Sequence, residues 1–480
     1  MMEKNENLSR SFYKWHRILG LIALVPIICW TLSGLSHPFM SNWFRPFIPE
    51  EHYEQPTQNQ LQPTLSLQQV LNQNHITQFR NFGLVSFNKQ TYYQILQQDS
   101  SYNYYLATDA KLLPNADRDY AIYLARYFTQ DSVSKVKSVT LQKQFDGQYQ
   151  PINHLLPVWK VSFDRADGMD IYVETGQSRL ATFNNTTRKV LLSVFEQMHT
   201  WDFMAALFGD QFRLIVMLCV VTILFLSLIS GLVIYGFFWK RFKEIAQKRK
   251  AKGIEDKRWL HRYHRQLGLF VSVLMLMFFT SAGFHILVKL HNVNPIEKQY
   301  AQLIKTDGLK AGNLHLPMAD SLILKQAIVK IMDDTYYQVT DIKKNIHYFN
   351  TAHGTELLGG DQVYATYLAN FYRPQTKNEA PTVNPIKQFT NEYGFINKRL
   401  PVQQVSYHGN DNWYVETTTG KLAAHVAGID RVEGLAFIFL HKFFWMTWAG
   451  KDIRDVVSML AALSILTVAL LGFMAFIKNK

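Results

Sequence analysis

The stretch Trp15-His16-Arg17-Ile18-Leu19-Gly20-Leu21 opens an apolar segment, Ile18–Phe44, that contains no Asp, Glu, Lys or Arg. A close copy, Tyr263-His264-Arg265-Gln266-Leu267-Gly268-Leu269, opens a second segment of this kind, Gln266–Val288. Two further segments are equally uncharged: Leu214–Trp239 and Val456–Ile477. A helix that spans a bilayer needs about 20 apolar residues, and uncharged stretches this long are unexpected in a chain that is 18% charged. We therefore predict a membrane protein with a bundle of four transmembrane helices.

The whole chain is a tandem duplication. The paired elements follow one another in the same order in both halves: Ser33 and Ser281, His37 and His285, Tyr123-Leu124-Ala125 and Tyr367-Leu368-Ala369, Lys143-Gln144-Phe145 and Lys387-Gln388-Phe389, Leu156-Pro157-Val158 and Leu400-Pro401-Val402, Tyr172-Val173-Glu174-Thr175 and Tyr414-Val415-Glu416-Thr417, His199 and His441, and Asp210 and Asp452. Each half is predicted to form a helix, a large domain and a second helix. The halves repeat in parallel, so we expect a symmetry axis along the membrane normal.

Basic residues predict the orientation of the chain in the membrane. Eleven of them lie between Lys240 and Arg265, against three acidic residues, and further basic residues lie near both termini. Such segments remain cytoplasmic. The long segments, roughly 41–212 and 291–454, are therefore expected outside. The net charge of +13 then reflects topology and contact with anionic membrane lipids. We expect no nucleic-acid partner, because the basic cluster lies between two predicted spans.

The large domains are predicted to be duplicated α+β structures. Residues Ser66–Asn72 and Asp117–Phe128 favour helices, whereas Val158–Phe163 and Met169–Val173 favour strands. An aromatic strand followed by a turn and a short strand recurs four times: Tyr104–Leu112, Tyr172–Leu180, His347–Leu357 and Tyr414–Leu422. This repetition predicts two small modules in each half.

The chain lacks the signatures of several other classes. Its two cysteines, Cys29 and Cys219, both lie in predicted spans, which excludes a disulfide framework or a Cys-ligated metal in the large domains. It contains no Gly-x-Ser-x-Gly, no His-Glu-x-x-His and no Gly-x-Gly-x-x-Gly motif. We therefore predict no catalytic acid, base or nucleophile.

Histidines recur at the predicted edges of the membrane. The set comprises His16, His37, His199, His264, His285 and His441, and His261 has no copy. In a continuous helix the 21 residues from His16 to His37, or from His264 to His285, would span about 31 Å, close to the thickness of the hydrocarbon core. An interfacial histidine can serve as a simple hydrogen-bonding group, but imidazoles at both faces of a bundle suit the axial ligation of haem.

The pairing of these histidines stays open at this stage. One haem on the symmetry axis would use equivalent residues, such as His16 with His264. Haems off the axis would pair residues such as His37 with His199. We expect the chain to bind one or two b-type haems, or more.

The elements Trp15-His16-Arg17-Ile18-Leu19-Gly20, Ser33-Gly34, Met198-His199, Leu440-His441 and Ser230-Gly231-Leu232-Val233-Ile234-Tyr235 resemble those of the PepSY-associated transmembrane helix family. Within that family, the chain is similar to haem-containing siderophore-iron reductases of the Gram-negative inner membrane. The resemblance implies PepSY-like periplasmic domains, haem iron ligation by the six repeated histidines, and release of iron from a ferric siderophore by reduction. Some relatives carry a fused flavin reductase domain, for which the cytoplasmic loop here is too short. Electrons would then come from quinol or a separate cytoplasmic reductase.

This interpretation divides the chain into seven parts. They are residues 1–40 (cytoplasmic N-terminus and first span), 41–190 (first periplasmic domain), 191–239 (interfacial helix and second span), 240–265 (basic cytoplasmic loop), 266–290 (third span), 291–430 (second periplasmic domain), and 431–480 (interfacial helix and fourth span, with a cytoplasmic C-terminus). The alternative function is a membrane-anchored PepSY protein that binds a periplasmic peptide or protease without redox activity. A transporter ranks below both, because the spans lack acidic and basic residues for ion coupling.

Overall fold

The structure is a computed structural model that describes residues 2–44, 63–251, 259–291, 298–309, 323–373, 379–394 and 397–478, with the single residues 46, 48 and 56. It contains two compact units. The helical unit comprises Met1–Arg45, Thr187–Pro295 and Ile429–Lys480. The α+β unit comprises Pro46–Thr186 and Ile296–Gly428.

The described α-helices are, in chain order, α1 (Met2–Ile22), α2 (Leu24–Pro38), α3 (Leu67–Gln73), α4 (Ala116–Thr129), α5 (Thr186–Phe195), α6 (Asp202–Phe208), α7 (Asp210–Ala251), α8 (Trp259–His291), α9 (Gly360–Tyr372), α10 (Gly428–Ala436) and α11 (Gly450–Ile477). The described strands are β1 (Gln78–Phe79), β2 (Asn81–Phe87), β3 (Gln90–Leu96), β4 (Tyr102–Leu106), β5 (Leu112–Leu113), β6 (Val136–Gln142), β7 (Val158–Phe163), β8 (Asp170–Glu174), β9 (Arg179–Asn184), β10 (Ile304–Lys305), β11 (Ile323–Ile331), β12 (Asp334–Asp341), β13 (Ile346–Asn350), β14 (Thr382–Ile386), β15 (Val402–Tyr407), β16 (Asp411–Glu416) and β17 (Lys421–Val426).

The helical unit has the dimensions of a multi-pass membrane domain. Three of its helical segments are long and apolar enough to cross a bilayer: Asp210–Lys240, Trp259–His291 and Phe444–Ile477. The first predicted span instead forms a pair of helical segments, Ser11–Ile22 and Leu24–Trp43, that meet at 54°. The described residues therefore contain three straight candidate spans and one bent pair, which would make four if the pair crosses as one.

Pro26 explains the bend in the first segment. A proline within a helix has no N–H to donate, and its ring clashes with the carbonyl four residues earlier, which here belongs to Ile22. The break falls at Ala23, immediately after that residue. In the duplicate helix α8, Leu274 occupies the position of Pro26, and the helix is continuous. The expected separation of about 31 Å along one straight helix therefore applies to His264 and His285 but not to His16 and His37.

The helices of this unit pack around an apolar core. Helix α7 packs on α1 and α8, and α11 packs on α8 and α2. Val271 of α8 is fully buried at the centre, with Val221 of α7 and Ile465 of α11 beside it. Small residues permit close approach: a Cβ on Gly34 would lie 3.9 Å from the Cβ of Ala462. Many other apolar side chains are exposed, as lipid-facing helices require.

The α+β unit consists of small antiparallel sheets. In the first half, four-stranded sheets have the orders β2-β3-β4-β5 and β6-β7-β8-β9, and α4 packs against both. In the second half, β11-β12-β13 and β14-β15-β16-β17 form the corresponding sheets, with α9 packed against them. Strands β1 and β10 pair across the two halves. The predicted strand Val158–Phe163 is confirmed. Three of the four predicted hairpins form paired strands, whereas in His347–Leu357 strand β13 is followed only by an isolated bridge between Phe349 and Glu356.

Each half of the α+β unit contains a hydrogen-bonded aspartate in the first turn of its helix. Asp117, in the first turn of α4, accepts hydrogen bonds from the Tyr104 hydroxyl at 2.8 Å and from the Trp159 indole N–H at 2.6 Å. In the duplicate, Asp361 accepts from the Tyr348 hydroxyl at 2.7 Å. Burial raises the pKa of both carboxyl groups. These networks connect the helix of each half to its two sheets.

Candidate functional site

His16 and His264, here called the first histidine pair, face each other across the helical unit. Their ring centres are 6.2 Å apart. Both line a cavity of about 550 Å³, which lies within the range of about 300–1,000 Å³ typical of cofactor sites. His16 lies on α1 and His264 on α8, at equivalent positions of the duplication. The structure thus brings together one of the pairings that the sequence left open.

The Nδ1 atoms of the first pair are anchored in the same way in both halves. His16 Nδ1 lies 2.9 Å from the carbonyl oxygen of Ser227 on α7, and His264 Nδ1 lies 2.9 Å from the carbonyl oxygen of Val468 on α11. A carbonyl oxygen only accepts, so each Nδ1 carries the proton and donates it. Each Nε2 then keeps its lone pair. Metal-binding histidines are usually oriented by a hydrogen bond of this kind.

Glycine creates the space that each ring occupies. A Cβ on Gly231 of α7 would lie 3.0 Å from the Cε1 atom of His16. A Cβ on Gly472 of α11 would lie 2.8 Å from the Cε1 atom of His264. These two glycines occupy equivalent positions, each four residues after the carbonyl that anchors the ring. Only a residue without a side chain permits such close approach of an imidazole to a helix.

His199 and His441 form a second histidine pair. Their ring centres are 6.4 Å apart, at an interplanar angle of 86°. His199 Nδ1 lies 2.9 Å from the Ser33 hydroxyl of α2. In the other half, the Nδ1 atom of His441 and the Oγ atom of the equivalent Ser281 are both buried, and the structure gives neither of them a hydrogen-bond partner.

A π-turn presents each histidine of the second pair. His199 lies in the π-helical segment Glu196–Thr200 and His441 ends the equivalent segment, Phe437–His441. Phe195 stacks on His199 at 4.6 Å between ring centres, and Phe437 stacks on His441 at 5.0 Å. The sequence predicted helices here but not the π-turns, which are frequent at functional sites.

The remaining two candidate residues flank the second pair. His37 lies 5.5 Å from the ring of Phe195, and His285 lies 5.1 Å from the ring of Phe437. They form an aromatic row in the order His37, Phe195, His199, His441, Phe437 and His285. The two ends of the row differ in charge. The Lys442 ammonium lies 3.3 Å from His37 Nε2, whereas the Glu433 carboxylate accepts a hydrogen bond from His285 Nδ1.

Burial keeps the second pair neutral. Burial, together with the positive charge of Lys442, lowers the pKa of His199 to about 4. Burial and Lys442 also lower the pKa of His441 well below its usual value. Both imidazoles are therefore uncharged at neutral pH, and a neutral imidazole is the form that binds a metal.

Each pair offers two imidazoles, the number that would serve as the axial ligands of one haem. Among the described residues, no three or more His, Cys, Asp or Glu side chains are grouped to hold a metal ion by themselves. A haem needs only two axial ligands, because the porphyrin supplies the others. An imidazole nitrogen binds a transition metal at about 2.0 Å, so a metal between two trans imidazoles places their ring centres about 6.3 Å apart. The observed separations are 6.2 and 6.4 Å.

Sequence reasoning missed several contributors to these sites. Gly472 and the anchoring carbonyl of Val468 could have been found from the position of Gly231 in the duplication. Lys442 and Glu433 have no such signal, since Thr200 and Leu191 occupy their equivalent positions. His261 also lines the first cavity, together with Met275.

The family PepSY-associated TM region matches residues 107–353, which is more than half of the chain. The chain therefore belongs to this family. The matched segment includes His199, His264 and His285, one from each duplicated set of candidate ligands. Comparison with curated proteins finds no match.

Proposed function

We propose that this protein is a haem b oxidoreductase of the membrane that passes electrons to a ferric siderophore and releases its iron as Fe(II). The observation that carries the proposal is the occurrence of two symmetry-related histidine pairs with ring separations of 6.2 and 6.4 Å. His16 and His264 would hold one haem, and His199 and His441 a second. Haem b would supply reversible one-electron chemistry at each place.

The positions of the pairs support a path across the membrane. Phe278 of α8 contacts His441, with ring centres 5.0 Å apart. It follows His264 by 14 residues in an unbroken helix, which corresponds to about 21 Å along the helix axis. The two pairs thus lie at different depths of one helical bundle.

We also propose how the chain crosses the membrane. The bent pair α1–α2 would cross the membrane as one span, giving four spans with both termini and residues 240–265 in the cytoplasm. The PepSY-like α+β unit would lie in the periplasm of a Gram-negative bacterium. The basic bias of residues 240–265 supports this orientation. The first pair would then lie near the cytoplasm, where quinol or a separate reductase delivers electrons.

Reduction has a chemical purpose on the periplasmic side. Siderophores bind iron through hard oxygen donors, which hold Fe(III) far more strongly than Fe(II). One electron therefore loosens the chelate without the cleavage of a covalent bond. This explains why the described domains need no arrangement of nucleophile and base.

Haem counting tests the assignment of the ligands. Wild-type protein should bind two haems per chain with low-spin bis-histidine spectra. His264→Ala and His441→Ala should each bind one, and the double variant none. His291→Ala, an exposed residue at the end of α8, is the matched control and should retain two. Retention of two haems by the double variant would refute the assignment.

Proteoliposomes test the activity. With a reductant trapped inside and a ferric siderophore plus an Fe(II) indicator outside, colour should develop only with haem-loaded protein. His264→Ala should prevent it, while direct chemical reduction of the remaining haem continues. If wild-type protein binds no haem and instead captures a peptide through its α+β unit, the anchored binding protein is the correct interpretation.

A further inference from the structure

The cavity of the first histidine pair is polar at one end and apolar at the other. Tyr13, Arg17, His261 and Arg265 line the end near the start of α1 and α8. The opposite end is lined by aliphatic side chains and one thioether: Ile27, Leu224, Met275 and Ile465. A ligand that fills this cavity must therefore be amphipathic and must enter in one orientation.

Arg17 and Arg265 are equivalent residues of the duplication, one beside each histidine of the pair. The guanidinium carbon of Arg17 lies 5.0 Å from the ring centre of Phe476, and that of Arg265 lies 3.8 Å from the ring centre of Phe242. Both phenyl rings belong to the cavity wall. Cation–π contacts of this kind hold each guanidinium at a defined place on that wall.

These contacts also locate the two charges along the bundle. Gly472 packs against His264, and Phe476 lies four residues further along α11. Gly231 packs against His16, and Phe242 lies eleven residues further along α7. Helices α7 and α11 run antiparallel to α1 and α8, so both guanidinium groups lie on the same side of the histidine pair. Cβ atoms that tilt toward the helix N-terminus direct Arg17 and Arg265 to that side.

We infer that Arg17 and Arg265 form a subsite for two carboxylates, the propionates of the haem held by His16 and His264. The inference rests on the proposed function and adds the orientation of the cofactor. The propionate edge would face the start of α1 and α8, and the methyl and vinyl edge would face Met275 and Ile465. The two arginines that the duplication pairs match two carboxylates in number and charge, and Arg262 also lines the cavity. Arginine binds a carboxylate through strong, often bidentate hydrogen bonds.

The test compares haem with its dimethyl ester, which has the same ring but no carboxylates. The protein is made in haem-deficient cells as the His199→Ala/His441→Ala variant, so that only the first pair can bind. It should bind haem at least about tenfold more tightly than the ester, equivalent to about 1.4 kcal/mol. When this variant also carries Arg17→Gln and Arg265→Gln, it should bind haem and the ester with about equal affinity. Its bis-histidine spectrum should be retained. Lys14 is an exposed cation on the same helix as Arg17, so Lys14→Gln should leave the preference for haem over the ester unchanged.

A second readout uses the otherwise wild-type chain. Removing two cations beside the haem should lower its midpoint potential, because the reduced form carries less positive charge. Lys14→Gln should leave the potential close to that of wild type. Equal affinity of the His199→Ala/His441→Ala variant for haem and its ester, or an unchanged preference after both arginines are replaced, would overturn the inference. Failure of the wild-type protein to bind any haem would overturn the proposed function itself.

Discussion

Replacing Gly472 with alanine perturbs one ligand of the first pair without touching the ligand itself. The added Cβ would lie 2.8 Å from Cε1 and 3.1 Å from Nδ1 of His264. Favourable contact between carbon atoms begins at about 3.5 Å, so the ring must withdraw by about 0.7 Å or more. Its Nδ1 is 2.9 Å from the Val468 carbonyl oxygen, and such a shift carries that hydrogen bond to the limit of useful geometry.

The expected cost follows from these distances. Loss of one hydrogen bond is worth about 0.5–1.5 kcal/mol, and metal–ligand distances tolerate only about 0.2 Å of error. Substitution of groups that orient a ligand lowers metal affinity by about 10- to 100-fold. We therefore expect Gly472→Ala to weaken binding at the first haem site by about that factor. Gly231→Ala, whose Cβ would meet His16 at 3.0 Å, should act in the same direction but less strongly.

The assay is haem titration of protein from haem-deficient cells, with the Soret band as readout. Gly236→Ala is the matched control, because it lies on the same helix as Gly231 and a Cβ there meets no atom within 4 Å. Alanine favours a helix over glycine by about 1 kcal/mol, so a general gain of helix stability cannot mimic the expected loss. Equal affinities for Gly472→Ala, Gly236→Ala and wild type would refute the close packing of glycine against the ligand.

Three further predictions address other parts of the chain. Asp117→Asn should destabilise the α+β unit by about 1–3 kcal/mol in urea unfolding, because the amide N–H₂ cannot accept the hydrogen bonds that the carboxylate receives. Asp119→Asn is the control: the Asp119 side chain is 46% exposed, so the free energy of unfolding should change little. Burial lowers the pKa of Lys325 to about 8, and the unfolded chain binds this proton up to about pH 10.5, so the free energy of unfolding should rise from pH 8 to 10.5 through this residue. Lys325→Met should reduce that slope, and an identical slope would contradict the buried position of the ammonium. Cysteines placed at Gln150 should react with an impermeant reagent added to intact cells, whereas labelling at Lys250 would contradict the proposed topology.

The regular features of the fold were predictable because they repeat. The sequence predicts strand β7 with its observed bounds, and three of the four predicted hairpin copies form paired strands. The bend at Ala23 follows from Pro26, a residue that the sequence itself shows and that rules out one straight helix over this segment. The π-turns at Glu196–Thr200 and Phe437–His441 insert one residue per turn, and no residue pattern distinguishes them from ordinary helix.

The histidine pairing could not be derived from sequence because it depends on how the helices associate. Spacing fixes the depth of His16 and His264 in their own helices, but four helices of similar hydrophobicity can associate in several arrangements. Lys442 and Glu433 are still less accessible to such reasoning. They approach His37 and His285 only through contacts between elements far apart in the chain.

The duplication explains why the paired histidines are equivalent residues. In two parallel repeats, residues close to the symmetry axis meet their own copies, whereas residues away from the axis meet other partners. The first and second histidine pairs lie close to the axis, and their ring centres are 6.2 and 6.4 Å apart. His37 and His285 lie away from the axis and meet other partners. The partner of His37 is a lysine, whereas the partner of His285 is a glutamate. Loss of one member of a central pair would therefore remove a ligand that no other copy replaces. The flanking positions can differ between the halves, as Lys442 beside His37 and Glu433 beside His285 do.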